Sequence, residues 1–269
     1  MRGFTKGALL AAAAVAFVPQ AANALVIGYF DSSRELYGFA GGYLSHAQQA
    51  LIDSGHTLVA TSTADAAFLS TVDAFYTGLI SSVSTEEVEA MEAFVNVDGG
   101  FLFIQQDHDS GGWHTASSTI LANWGIGNSA GTFDNDSGHY TVGTSAWVTD
   151  PNVVTGFSGA AHSSVNVIPE AFEVLARDNA DRVIMGVFDA GAGLASDVFV
   201  ATDIDFWSND LGWNDPRNRA LWANIWSTAQ GQIDPEDPTE PPVVGVPEPS
   251  TIALFGLGLV GLALRRRRA

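Results

Sequence analysis

The residues of this chain best suited to chemistry are acidic, and most lie just beyond short apolar runs. Asp31 follows "LVIGYF" (25–30), Asp107, His108 and Asp109 follow "FLFIQQ" (101–106), and Asp203 and Asp205 follow the run "DVFVAT" (197–202). In an open parallel sheet, ligands sit outside the carboxyl ends of the strands. Carboxylates and an imidazole gathered there could hold a divalent cation, Ca²⁺ being the natural choice for oxygen ligands, or supply a general acid/base pair. The same residues also suit ordinary turns, because an Asp after a strand caps the next helix or closes an Asx turn. The candidate catalytic residues are therefore Asp107, His108 and Asp203, and the candidate cation ligands Asp31, Asp107, Asp109, Asp203 and Asp205.

Three weaker patterns lie between these runs. "FDNDSGHY" (133–140) offers Asp134, Asp136 and Gly138, which echo the opening of a calcium loop but lack the later bidentate Glu of an EF-hand. "GNSAG" (127–131) fits Gly-x-Ser-x-Gly, yet Ser129 follows a helix-like stretch and precedes a polar loop, whereas a nucleophile elbow needs a strand before it and a helix after it. The six histidines show no tight ligand spacing, which disfavours zinc. Trp113, Trp124 and Trp147 could line a sugar-binding surface or simply pack. The chain has no cysteine, so thiol catalysis and disulfides are excluded.

The elements that must position these residues alternate. A strand at 25–30 leads to a helix within 41–56, then come strands at 57–61 and 71–80. The helix at 84–100 is the best marked: Ser84 and Glu87 form a capping-box pattern, Val88, Met91 and Val95 a buried stripe, and Gly99-Gly100 a stop before the apolar strand 101–106. Residues 108–165 read as long loops over one sheet edge, with helical character only at 117–126. Strands at 172–177, 182–188 and 197–202 are joined by turns too short for crossover helices, hence antiparallel, and a last helix covers about 215–230. The expected fold is α/β and flavodoxin-like: a mostly parallel, doubly wound sheet with antiparallel C-terminal strands, followed by a short C-terminal hydrophobic helix.

The ends of the 269-residue chain read as processing segments. Residues 1–24 combine basic Arg2 and Lys6, an apolar run and Ala22-Asn23-Ala24, the pattern of a secretory signal peptide. Residues 25–231 form the globular domain, 232–245 a Pro-rich acidic linker, and 246–269 a distinct tail. The formal net charge is −19, and six of the eleven basic residues lie in the two end segments. The domain is thus acidic enough to repel nucleic acid.

The tail "VPEPSTIALFGLGLVGLALRRRRA" resembles the PEP-CTERM sorting signal of Gram-negative bacteria: Pro247-Glu248-Pro249, an apolar stretch and Arg265, Arg266, Arg267 and Arg268 occur in that order. Its apolar run, Ile252 to Leu264, reaches about 20 Å as a helix, short of the roughly 30 Å of a bilayer core. The arginines should remain cytoplasmic while the domain lies outside. The resemblance implies export machinery and an exosortase-type transpeptidase as partners, a transient stay in the inner membrane, and a final place at the cell surface or in an extracellular, biofilm-like matrix where exopolysaccharide is a potential contact.

The domain resembles the class I glutamine amidotransferase-like superfamily through "STEEVEAMEAFVNVDGGFLFIQQDH" and "DVFVATDIDFWSND…NRALWANIWSTAQG". Amidotransferases place a cysteine nucleophile after the central strand, where this chain has Gln106-Asp107-His108, so the resemblance implies the fold without glutaminase activity. Three functions stay open at this point: an exported surface protein with a non-catalytic binding or structural domain, a secreted hydrolase acting on carbohydrate, and a Ca²⁺-dependent adhesive module.

Overall fold

The computed structural model describes residues 24–108, 112–133, 138–189 and 194–233. The signal-peptide and tail segments, with Pro247 to Pro249 and Arg265 to Arg268, lie outside these residues, as do Asp109, Asp134 and Asp136.

Five strands form the parallel half of the sheet, in the order β3 (Thr57–Thr61), β1 (Val26–Phe30), β4 (Ala74–Tyr76), β6 (Phe101–Gln105) and β13 (Val198–Ala201). The sheet continues antiparallel through β12 (Val183–Phe188), β11 (Phe172–Arg177), β8 (His139–Thr141) and β9 (Gly156–Phe157). The α/β architecture with antiparallel C-terminal strands is the one expected from the sequence.

Alternation along the central strands sends side chains to opposite faces, each covered by helices. Phe101 and Phe103 of β6 pack with Ala47 and Leu51 of α1 (Ser45–Asp53), Trp147 of α5 (Ala146–Thr149), and Leu221, Trp222, Ile225 and Trp226 of α6 (Pro216–Ile233). Leu102 and Ile104 face the other way, toward Leu69 of α2 (Ala66–Leu69), Val88, Met91 and Val95 of α3 (Thr85–Asn96), and Ile120 of α4 (Trp113–Leu121). The capping box is formed as read: Ser84 Oγ accepts from the Glu87 amide, and the Glu87 carboxylate accepts from the Ser84 amide. It makes Ser84 a firm start for α3.

Two local expectations are corrected. The stretch 71–80 divides into β4 and the two-residue β5 (Leu79–Ile80), which turns out of the main sheet to pair with β2 (Glu35–Tyr37). The division falls at Gly78, whose φ of +59° an L side chain rarely adopts. The region 108–165, expected to be loops, instead adds β7 (Gly127–Phe133), β8, β9 and most of β10 (His162–Val167), with β10 paired to both β7 and β12. Its Gly, Ser and Asn content hides the period-two signal, since these residues are depleted in most strands.

Candidate functional site

The site begins where the sheet ends. Gln105 of β6 lies beside Ala201 of β13 in parallel register, so the chain leaves the two strands together and places Gln106-Asp107-His108 next to Thr202-Asp203. Gln105 holds the floor: its Oε1 accepts from Trp207 Nε1 at 3.2 Å, and its Nε2 donates to the carbonyl of Gln106 at 2.9 Å. The two exit loops are therefore fixed by a buried amide at their root.

Asp107 is buried, while the His108 side chain remains 30% exposed. Asp107 Oδ1 accepts from the His108 amide at 2.7 Å and lies 3.0 Å from His108 Nδ1. Burial pushes its carboxyl up to about 6, with the charge of Asp205 acting in the same direction and the bonds from His108 opposing it. Asp203 is wholly enclosed. Its Oδ1 accepts from the Asp205 amide at 2.7 Å and its Oδ2 from the Ala160 amide at 2.6 Å, while burial and the charges of Asp107 and Asp205 raise it well above the carboxylate range. Asp205 accepts from the Tyr43 hydroxyl, whose own ionisation is raised by burial and by that carboxylate. Asp107, Asp203 and Asp205 thus interact electrostatically in one crevice.

Asp31 stands apart from them. Its Oδ1 accepts from the Ser33 amide at 2.9 Å and the Ser33 hydroxyl at 2.5 Å, bonds that lower its carboxyl, and the result is an exposed Asx turn. Among the described residues no group of three or more His, Asp or Glu side chains is placed to hold a metal ion. Ser129 lies within strand β7, opposite Ser164 of β10, rather than at the end of a helix-like stretch, and no strand-to-helix elbow forms there. Trp124 and Trp147 are buried in the two cores, and Trp147 stacks on Phe101. Trp113 is half-buried at the crevice, donating from Nε1 to the His108 carbonyl at 3.0 Å.

A buried acid that sequence reasoning missed is Glu35, the first residue of β2. It is 4% exposed, and its Oε2 accepts from the Ala40 amide at 2.5 Å. Burial pushes this carboxyl up to about 7 against the lowering effect of the Ala40, Phe39 and Gly41 amides. A Cβ on Gly38 or Gly78 would come within 1.9 or 2.0 Å of Glu35 Oε1, so both glycines are required for the acid to enter. The sequence signal was there in "RELYGFAGG" (34–42), a glycine-rich loop closing on an acid.

A second missed feature adjoins Asp203. His139 and His162 are buried with ring centroids 5.3 Å apart. Asp203 Oδ2 and His139 Cε1 both approach the position a Gly159 Cβ would occupy, at 2.5 and 2.8 Å. His162 Nε2 lies 3.5 Å from Asp178 Oδ2, which also accepts from Arg182 Nε at 2.5 Å. Nothing in their sequence spacing tied these residues together, because β8, β10 and β13 come from distant parts of the chain.

Comparison with known proteins bears on both the ends and the fold. Residues 245–268 match the PEP-CTERM protein-sorting motif. No curated protein matches the chain by sequence. Among solved structures, the mmIFT52 N-terminal domain is similar with a TM-score of 0.64 at 11% identity, over 76% of this chain and 97% of that one. A ThuA-like protein from Bacteroides uniformis is similar with a TM-score of 0.51 at 12% identity, over 76% of this chain and 90% of the other. At such identities the likeness is one of fold.

Proposed function

We propose that this chain is an exported protein delivered to the cell surface through its tail, where the α/β domain serves as a binding or structural module. The observation that carries this reading is the match of residues 245–268 to the PEP-CTERM protein-sorting motif. Export starts at residues 1–24. The 13-residue apolar run then halts the chain in the inner membrane with Arg265 to Arg268 on the cytoplasmic side, too short to be a comfortable span. An exosortase-type transpeptidase acts near Pro247-Glu248-Pro249 and releases or transfers the domain, as other C-terminal signals lose their hydrophobic tails. The amidotransferase resemblance comes without glutaminase activity, because the chain has no cysteine to serve as the nucleophile. Fractionating cells that express the chain with and without residues 246–269 tests the reading. The full chain should reach the surface or medium in a shortened form, and the truncated chain should not; identical distributions would refute it.

A second reading, a secreted hydrolase acting on carbohydrate, is favoured by one observation: Asp107, with its carboxyl raised to about 6, sits against His108 and beside the enclosed Asp203. Here Asp107 and His108 exchange protons with the scissile bond and water, and Asp203 supports the pair. Activity toward a polysaccharide that disappears in Asp107→Asn and rises with pH through about 6 would establish it.

A further inference from the structure

Two connections that leave the carboxyl edge of the sheet, β1 to α1 and β6 to α4, bring aromatic rings together beside the acidic crevice. Tyr37 comes from β2, Tyr43 from the turn before α1, and Trp113 from the start of α4. Tyr37 meets Tyr43 at 5.2 Å between centroids and Trp113 at 6.0 Å, both edge to face, and Trp113 meets His108 at 6.0 Å. Tyr37 keeps 43% of its surface exposed while touching both of these aromatic partners. The wall ends on polar groups: Tyr43 bonds Asp205, and His108 bonds Asp107.

We propose that this wall and the carboxyl groups at its foot form a carbohydrate-binding site for a neutral polysaccharide chain, a proposal that rests on the domain being a surface-displayed binding module. A pyranose ring has one face rich in C–H groups and a rim of hydroxyls. The first stacks on the exposed Tyr37 ring, which Trp113 buttresses edge to face, and the second donates to Asp107 and Asp205. Such a site combines an apolar face with a few fixed polar groups, the usual composition of a small-molecule pocket. Two alternatives fit less well. An anionic glycan meets a chain of net charge −19 and the crevice carboxylates. A quaternary ammonium needs rings spaced around a central point, whereas these rings touch one another edge to face and leave no gap for a cation between them.

The test uses the full chain purified in mild detergent, titrated calorimetrically with cellohexaose, maltohexaose, mannohexaose and xylohexaose, and with tetramethylammonium as the cationic probe. At least one hexasaccharide should bind saturably with Kd below about 1 mM. Tyr37→Ala and Trp113→Ala should each weaken it about ten-fold or more, with circular dichroism unchanged. Tyr140→Ala, an exposed ring bonded to Asp181 outside the crevice, should bind as the parent chain does. No binding by any hexasaccharide, preference for tetramethylammonium, or parent affinity in both crevice variants would overturn the proposal. Because the titration does not depend on cell location, its failure is distinguishable from failure of the sorting reading, which the fractionation measures.

Discussion

Arg34 grips Glu87 through both carboxylate oxygens, Nη1 to Oε1 at 2.8 Å and Nη2 to Oε2 at 3.0 Å. Glu87 is also the return arm of the α3 capping box and accepts from the Ala64 amide at 3.2 Å. One side chain therefore ties the loop after β1, the segment before α2 and the first turn of α3 together. Paired, multiply bonded carboxylates of this kind are costly to break because the partner charge is left behind.

Glu87→Ala is expected to destabilise the domain by about 1–3 kcal/mol, the range for leaving buried donors unsatisfied. Partial burial alone would raise this carboxyl, but the bonds from Arg34, Ser84 and Ala64 carry it below its ordinary value. A lowered folded value means that the stabilisation is present above about pH 4.5 and fades as the pH falls through the folded value. The difference between parent and variant in urea unfolding should therefore be largest at pH 7 and shrink in acid as its charge-dependent part is lost; a difference independent of pH would contradict the assignment.

Glu35 has the opposite sign. Its folded value of about 7 lies above the ordinary 4.5, so its contribution is complete below pH 4.5 and is lost as the pH rises to about 7. The loss is about 3 kcal/mol at roughly 1.4 kcal/mol per unit. Glu35→Gln should gain on the parent by that order between pH 4.5 and pH 8, read from urea midpoints at both values. A constant difference between the two proteins would show that Glu35 does not titrate in this window.

The glycine cradle predicts a contrast. Gly78→Ala places a methyl 2.0 Å from Glu35 Oε1 at a φ of +59°, and overpacking plus backbone strain should cost about 2–4 kcal/mol. Gly143 has a similar φ of +79° with nothing within 4 Å of the added atom, so Gly143→Ala should cost only about 1–2 kcal/mol. Thermal melts of the two variants check the difference, and equal losses would mean that Glu35 yields to the new methyl.

Asp107→Asn tests the crevice without a ligand. Burial raises the Asp107 carboxyl to about 6, so the parent loses stability between about pH 3.8 and 6, and the amide should remove that part of the pH dependence. The variant should equal the parent near pH 3.5 and exceed it in Tm at pH 8; a lower Tm at pH 8 would mean that the ionised carboxylate is held by bonds stronger than its burial cost.

The core predicts the largest loss. Phe103 is fully buried against Tyr76, Phe199 and Trp222, and Phe103→Ala should cost about 3–5 kcal/mol. A loss under about 1 kcal/mol in urea unfolding would mean that the rings around it collapse into the space.

Sequence alone determined the parts of this protein that rest on local chemistry. Ser84 and Glu87 announced the start of α3, and "FLFIQQ" announced a strand buried on both faces. The closing Pro-Glu-Pro, apolar run and arginines announced the sorting motif, because each depends on neighbours within a few residues. The strands of 127–167 were illegible, since glycine and small polar residues mask their alternation and pairing with β12 and β11 holds them in place.

The crevice was half legible: Asp107, Asp203 and Asp205 follow from the rule that strands end at the ligand edge, but their shared burial does not. Only the tertiary structure removed Asp31 to an exposed turn, brought Glu35 inward over two glycines and set Tyr37, Tyr43 and Trp113 into one wall. The physical reason is that the protonation of a carboxyl and the exposure of a ring depend on atoms far away in the chain. Composition fixes which groups exist, and packing alone decides which of them meet and which of them water can reach.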